Sequence, residues 1–458
     1  MREPSLSSPL YRPQSGPMRA WAALLILGTG AFPAAAQEFL SLDRALDLAS
    51  RNSFAAEASA LDSAAAREET AAARALYFPE VVVEGGHVNL DNDPAFRFGP
   101  VIFPAGDQVY WKYDLSVRQV LWDGGRRREA LAAGRAGESA AARGGADAVR
   151  RLQAEVVSRY VGALTFKAQG EVADQRRGAL EDHLRTVRDL FDQGVVARND
   201  LLRTEVALRS VEDQKRTLAS AYATAVEELN RALGLDPATP QALPGGLGPA
   251  PPVPWEEAEI RSRAVRGNDG LKALDARIVA LEAALALREK DYAPVLLAEA
   301  GHGYEQNRYM AYPRANRLFV GLSWSVYDGG ARAARVRQTR TQVEKARRER
   351  VEAGREAENA AARAYREYAD ALQEAVTARL NVAASQENLR IVQDQYREGM
   401  ARTTDVLDAE SLLAESRFQV ARTHYHAYAR EAELLAALGE DLRSFFAGAQ
   451  TPVSSEEK

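Results

Sequence analysis

The chain has no cysteine. That excludes disulfides, thiolate zinc sites, a cysteine nucleophile and the acylated cysteine that anchors bacterial lipoproteins. Aromatic residues are scarce, at 7% of 458 residues, and there are only 5 histidines. No block of one charge sign occurs: 59 Lys+Arg are interspersed with 64 Asp+Glu, for a net charge of -5. Without a basic stripe the sequence has no electrostatic footprint for nucleic acid. It also lacks a phosphate loop, a zinc signature and a nucleophile, base and orienter constellation, so no catalytic residue, cofactor or metal is expected. His424 and His426 are too close in sequence to share a helix face as metal ligands. Long apolar runs are missing too. The stretch Trp21 to Leu27 is far short of the ~20 residues that span a bilayer. With Arg12 and Arg19 before it and Ala34-Ala35-Ala36 after it, residues 1–36 have the plan of an export signal peptide.

What is present is helix-forming. Charged residues make up 27% and hydrophobic ones 46%, and the mean hydropathy is -0.34. Alanine is prominent. Such a chain suits long, thin helical packing better than a large round core.

The remainder is two copies of one plan. Tyr77-Phe78-Pro79 and Glu84-Gly85-Gly86-His87 recur as Tyr292-Ala293-Pro294 and Glu299-Ala300-Gly301-His302. Leu121-Trp122-Asp123-Gly124-Gly125 returns as Val326-Tyr327-Asp328-Gly329-Gly330, and Gly194, Asp200, Leu202 and Glu205 return as Gly399, Asp405, Leu407 and Glu410. The organisation expected is a first repeat at 37–235, a Pro/Gly-rich linker at 236–254, a second repeat at 255–440 and a polar tail at 441–458.

Each copy reads as helix, strand, loop, strand, long helix, turn, helix. Between Val109 and Leu121, the residues Val109, Trp111, Tyr113, Leu115, Val117 and Leu121 fall on one face; Lys112, Asp114, Ser116 and Arg118 fall on the other. Leu318, Val320, Leu322, Trp324 and Val326 repeat the pattern against Arg317, Gly321, Ser323 and Ser325. The strands starting at Val81 and Val295 are less regular. The alternation suits a half-buried soluble sheet or a bilayer-crossing barrel, whose strands need about 10 residues each. If it is a barrel, its edges cannot face lipid, because each unpaired backbone group there costs several kcal/mol. Four strands per chain then force oligomerisation, and three chains begin to leave a lumen where two do not.

The proline-free stretches Gly124 to Leu190 and Gly330 to Tyr396 predict rods of roughly 100 Å at about 1.5 Å per residue. Shorter helices are expected at Leu42 to Leu76, Asp200 to Leu233, Trp255 to Tyr292 and Asp405 to Leu438. Asp123 and Asp328, each before two glycines, suit a strand turning into a capped helix, and Pro79 and Pro294 suit a helix stop before a strand. Asp405 and Asp408 favour a helix N-terminus through its dipole, and copies converging on an axis would also form a repulsive, cation-attracting mouth.

The joins Gln119-Val120-Leu121-Trp122-Asp123-Gly124-Gly125-Arg126-Arg127 and Trp324-Ser325-Val326-Tyr327-Asp328-Gly329-Gly330, with the tip from Tyr396 through Gly399 to Glu410, resemble the TolC-type outer-membrane efflux family over the whole exported chain. The resemblance implies an α+β membrane protein: a homotrimer sharing a transmembrane β-barrel and a long α-helical barrel, in the outer membrane of a Gram-negative bacterium. It implies a passive duct for small molecules or proteins, supplied by an inner-membrane transporter through a periplasmic adaptor, and no enzymatic activity. It places adaptor contacts at Gly194, Val195, Gly399 and Met400, and a periplasmic gate at Asp405 and Asp408. One departure is visible: the family's arginine two residues after the tip glycine is here Ala401, with Arg402 third. The rival expectation is a periplasmic coiled-coil scaffold or adaptor that is not a channel.

Overall fold

The computed structural model describes residues 39–249 and 252–446. The export signal read at 1–36 and the end of the tail lie outside the described residues.

The chain enters through α1 (Leu42–Asn52) and α2 (Phe54–Ala75). Strand β1 (Glu80–Asn89), a small hairpin β2 (Ala95–Phe98) and β3 (Val101–Pro104), and β4 (Val109–Trp122) follow. Next come α3 (Arg126–Asp192) and the returning α4 (Arg198–Ala232). The second half repeats the order with α5 (Glu257–Gly267), α6 (Asp269–Glu289), β5 (Val295–Glu305), β6 (Arg314–Ser323), α7 (Ala331–Arg397) and α8 (Thr403–Leu438). A last turn, α9 (Leu442–Phe446), closes the described chain.

Both long helices have 67 residues, roughly 100 Å at 1.5 Å per residue. The expected helices from Leu42 and from Trp255 are each broken. Ser53 and Asn268 are extended, and their side chains cap the next helix by accepting the amides of Ala56 at 3.1 Å and Leu271 at 3.0 Å. A polar side chain that satisfies an orphan amide offers the chain an alternative to continuing the helix. Each break lies beside the end of a returning helix: a Cβ on Gly234 would meet the Asn52 carbonyl oxygen at 2.1 Å, and one on Gly439 the Gly267 carbonyl oxygen at 2.4 Å.

The helices form a layer. Along one half of its length α3 lies between α2 and α6, and along the other between α4 and α8; α7 flanks α6 and then α8. Two short helices thus match one long partner. The densest packing lies where they meet, with Leu46, Val156, Tyr160, Leu229 and Leu435 buried together. The linker lies over this region, held by its carbonyls: Leu243 and Pro244 accept from Lys167 Nζ at 2.7 and 3.0 Å, and Gly248 accepts from the Tyr428 hydroxyl at 2.7 Å. The expected polar tail does not begin at 441, because Leu442 and Phe446 on α9 are fully buried in this same core. Those two apolar residues stand one helical turn apart, a stripe that packing rewards.

The sheet is antiparallel with the order β1, β4, β5, β6, and it leaves β1 and β6 as edges. β6 starts earlier and stops sooner than the alternation predicts. Its last pair is Ser323 with Val295, so Trp324 and Val326 fall beyond it. The Trp324 indole instead donates to the Tyr292 carbonyl at 3.0 Å.

Candidate functional site

Register divides the sheet into two chemically distinct faces. Val81, Val83, Leu115, Val117, Ala298, Ala300, Leu318 and Val320 share one face, and its large residues are exposed in the single chain. A β-bulge between Val120 and Trp122 brings Trp122 onto that face opposite Leu296. Rings collect toward both ends. Tyr113 stacks on Tyr304 with centroids 5.4 Å apart and His87 lies 4.8 Å from Trp111; Trp122, Trp324 and Tyr327 lie at the helix end. An apolar band between aromatic girdles is the outer surface of a membrane barrel. The 14 residues of β4, at about 3.4 Å each, are long enough to cross a hydrocarbon core of about 30 Å at a barrel's tilt.

The opposite face is charged. Arg118 binds Glu299 at 3.0 Å, and Arg317 makes a bidentate pair with Asp114 at 2.6 and 2.7 Å while approaching Glu299 at 3.4 Å. Glycine makes the room: a Cβ on Gly301 would lie 3.1 Å from the Arg317 guanidinium, and one on Gly303 3.1 Å from the Asp114 carboxylate. Alternation alone placed Asp114, Arg118 and Arg317 on one face. It gave no sign of this cross-strand network, which needs the register.

Both strand-to-helix joins are built alike. Gly124 and Gly125 have φ of 69° and 94°, and Gly329 and Gly330 have 68° and 86°, the left-handed region that favours glycine. The Asp123 carboxylate accepts from the amides of Gly125 and Arg127 at 3.0 Å and from Arg127 Nε at 2.9 Å. Asp328 does the same for Gly330 and Arg332. Each arginine lies over a tyrosine, Arg127 at 5.0 Å from the Tyr77 ring and Arg332 at 4.9 Å from Tyr292. Pro79 and Pro294 sit immediately before β1 and β5.

At the far end of the helices, Gly194 and Gly399 both have φ of 75°. The amides of Val195 and Met400 reach back to the carbonyls of Leu190 and Gln395 at 2.8 Å, satisfying the last turns of α3 and α7. Val195 and Met400 are two-thirds exposed. Asp405 accepts the Arg402 amide at 2.8 Å, and it shares an exposed strip of α8 with Asp408 one turn on.

Next to this tip lies an interhelical groove that sequence spacing does not reveal. A cavity of about 630 Å³ is bounded by α3, α7 and α8, with Arg176, Arg390, Gln393, Glu410 and Arg417 in its wall. Burial holds the Glu410 carboxyl above the ordinary range, against the pull of Arg176 and Arg417. Burial likewise lowers His183, which packs edge-on to Tyr396 at 5.3 Å. Elsewhere on α8, His424 faces the Leu247 carbonyl at 3.1 Å and His426 faces Glu374 at 4.0 Å, so the two imidazoles point apart. Among the described residues, no helix is long and apolar enough to cross a membrane. That says nothing about the sheet.

The family model for outer membrane efflux proteins matches residues 45–235 and 260–440, one segment in each repeat. No curated protein sequence matches the chain. Among solved structures, the outer membrane protein VceC from Vibrio cholerae is 14% identical, with a TM-score of 0.73 over 87% of this chain and 96% of that one. The Campylobacter jejuni CmeC outer membrane channel is 13% identical, with a TM-score of 0.72 over 91% and 90%. The open-state Neisseria gonorrhoeae MtrE outer membrane channel is 17% identical, with a TM-score of 0.71 over 87% and 89%. The likeness is one of fold, a helical barrel joined to a β domain. With both repeats matched, the chain belongs to the outer membrane efflux protein family and is an outer-membrane channel, not a periplasmic scaffold.

Proposed function

We propose that three copies of this outer-membrane channel close one barrel and one helical tunnel, and that the assembly is a passive duct fed from the inner membrane. The observation that carries this reading is a four-stranded sheet with an apolar face, a charged face and two open edges. Lipid rewards the first face and water the second, while the edges demand closure. Three chains supply twelve strands, enough to leave a lumen lined by the Arg118, Glu299, Arg317 and Asp114 network. Transport energy comes from an inner-membrane transporter, and a periplasmic adaptor meets the two tips at Gly194, Val195, Gly399 and Met400. Asp405 and Asp408 line the narrow periplasmic mouth.

The deciding measurement is the native mass of the protein extracted from outer membranes in mild detergent, with detergent mass subtracted, followed by conductance in planar bilayers. Three chains and discrete channel openings are expected. A soluble monomer that needs no detergent would overturn the reading. For the adaptor, Met400→Glu should weaken crosslinking to the partner while leaving membrane insertion intact.

A further inference from the structure

We propose that β6 pairs with β1 of a second copy in the register that β4 and β5 keep within one chain, and that this joint lacks the two arginine clamps of the internal one. The inference rests on the oligomeric-duct reading.

At the joins, several contacts within a repeat occur twice in the chain. Asp123, Arg127 and Tyr77 are matched by Asp328, Arg332 and Tyr292. Gln119 donates to the Tyr77 carbonyl at 3.2 Å, and its counterpart Trp324 to the Tyr292 carbonyl at 3.0 Å. The register agrees as well: Glu80 opposes Arg118, and Val295 opposes Ser323. Contacts between repeats occur once. Arg118 binds Glu299 at 3.0 Å. The Arg126 guanidinium donates to the carbonyls of Lys290, Asp291 and Ala293 at 3.2, 3.2 and 3.3 Å. Gly124 is approached so closely that a Cβ there would lie 2.3 Å from that of Ala293.

The counterparts of that second set are unfilled in the single chain. Gly329, matching Gly124, faces open space, and Phe78, matching Ala293, is 66% exposed. β6 begins at Arg314, the counterpart of the first residue of β4, yet it stops short of Tyr327, the counterpart of the last. Residues 324–327 have a strand-forming sequence and no neighbour on that edge. A second copy supplies one: the internal pairs Arg118 with Glu299, Gln119 with Ala298 and Trp122 with Leu296 become Ser323 with Glu84, Trp324 with Val83 and Tyr327 with Val81. This head-to-tail contact is heterologous, so a rotation that closes gives a ring. It keeps Trp324 and Val83 on the apolar face and Ser323 and Glu84 on the charged one.

The match also shows where the seam differs. Ser323 stands in place of Arg118 and Ala331 in place of Arg126. Glu84 therefore meets a hydroxyl instead of a guanidinium, and the turn before β1 is gripped by nothing equivalent. At these two points the joint between copies has no guanidinium to add to backbone pairing and apolar contact.

The absence of native cysteine makes the register directly testable. In the full chain, Ser323→Cys with Glu84→Cys should give covalent, reducible trimers on mild oxidation. Ser323→Cys with Val82→Cys, or with Gly86→Cys, should not, although all three positions lie on one face. Preferred crosslinking at a shifted pair in an intact trimer overturns the register. A native trimer with no crosslink at any pair overturns the edge assignment, whereas a native monomer overturns the duct reading beneath it. The missing clamp has its own test: Ser323→Arg should raise the temperature at which the trimer dissociates in mild detergent, and adding Glu84→Gln should remove the gain. No gain, or one that survives Glu84→Gln, defeats that half of the proposal.

Discussion

Glu431 is fully buried on α8, near the Tyr368 and Tyr428 phenols, and neither of its carboxylate oxygens has a hydrogen-bond partner. Burial pushes its pKa up to about 8. A carboxyl raised on folding makes the folded state the better proton binder, so stability is full below the ordinary glutamate value and is lost as pH rises toward 8. Glu431→Gln mimics the protonated acid. The wild type should lose thermal stability between pH 5 and pH 9 relative to Glu431→Gln, and melting curves at both values check it; parallel pH profiles would exclude Glu431 as the source. The joins respond differently. Asp123→Ala removes a carboxylate that satisfies two amides and one arginine, and should cost about 1–2 kcal/mol, read as a lower unfolding temperature in detergent. Asp328→Ala should also lower the unfolding temperature, because the two joins are built alike.

Elements show how far sequence alone reaches. The two long helices were legible because nothing interrupts them, and their ends lie within two residues of the expected ones. Ser53 and Asn268 were not legible as breaks, because a serine or asparagine inside an alanine-rich run becomes a cap only when tertiary packing favours a bend. Ser53→Ala should lower stability by about 1 kcal/mol through loss of the Ala56 cap, a difference that thermal melting in detergent can measure. β2 and β3 were hidden in a loop whose Pro and Gly content masked a four-residue pair. The end of β6 is a different case. Alternation ran on to Val326, and the single chain stops at Ser323 because a strand is defined by its neighbour. Pairing partners, unlike periodicity, are not written in a local window. The same reason explains the site: Asp405 and the joins carried local signals, whereas Arg126, Glu410 and the cross-strand ion pairs required the fold to bring distant residues together.

At the scale of the proposed assembly, charge placement should govern conduction. Asp405→Asn with Asp408→Asn keeps a capping oxygen for the Arg402 amide while removing the negative charges from the exposed strip of α8. Block of single channels by trivalent cations from the periplasmic side should weaken, since in the proposed assembly copies of those charges converge on the mouth and attract cations there. Unchanged block would move the gate elsewhere. In the barrel, Arg317→Gln releases Asp114 and Glu299 from their shared cation. The reversal potential in a salt gradient should then shift toward that of the cation, and a shift the other way would mean that the charged face does not line the ion path.

The small β2 and β3 hairpin belongs to one repeat alone, and the turn between β5 and β6 has no counterpart to it. In a ring made of duplicated chains, tall and short turns therefore alternate around the outer rim. In the proposed three-chain ring the mouth is a three-pointed crown, carrying a threefold set of exposed Phe96, Phe98 and Phe103 tips above walls that repeat sixfold.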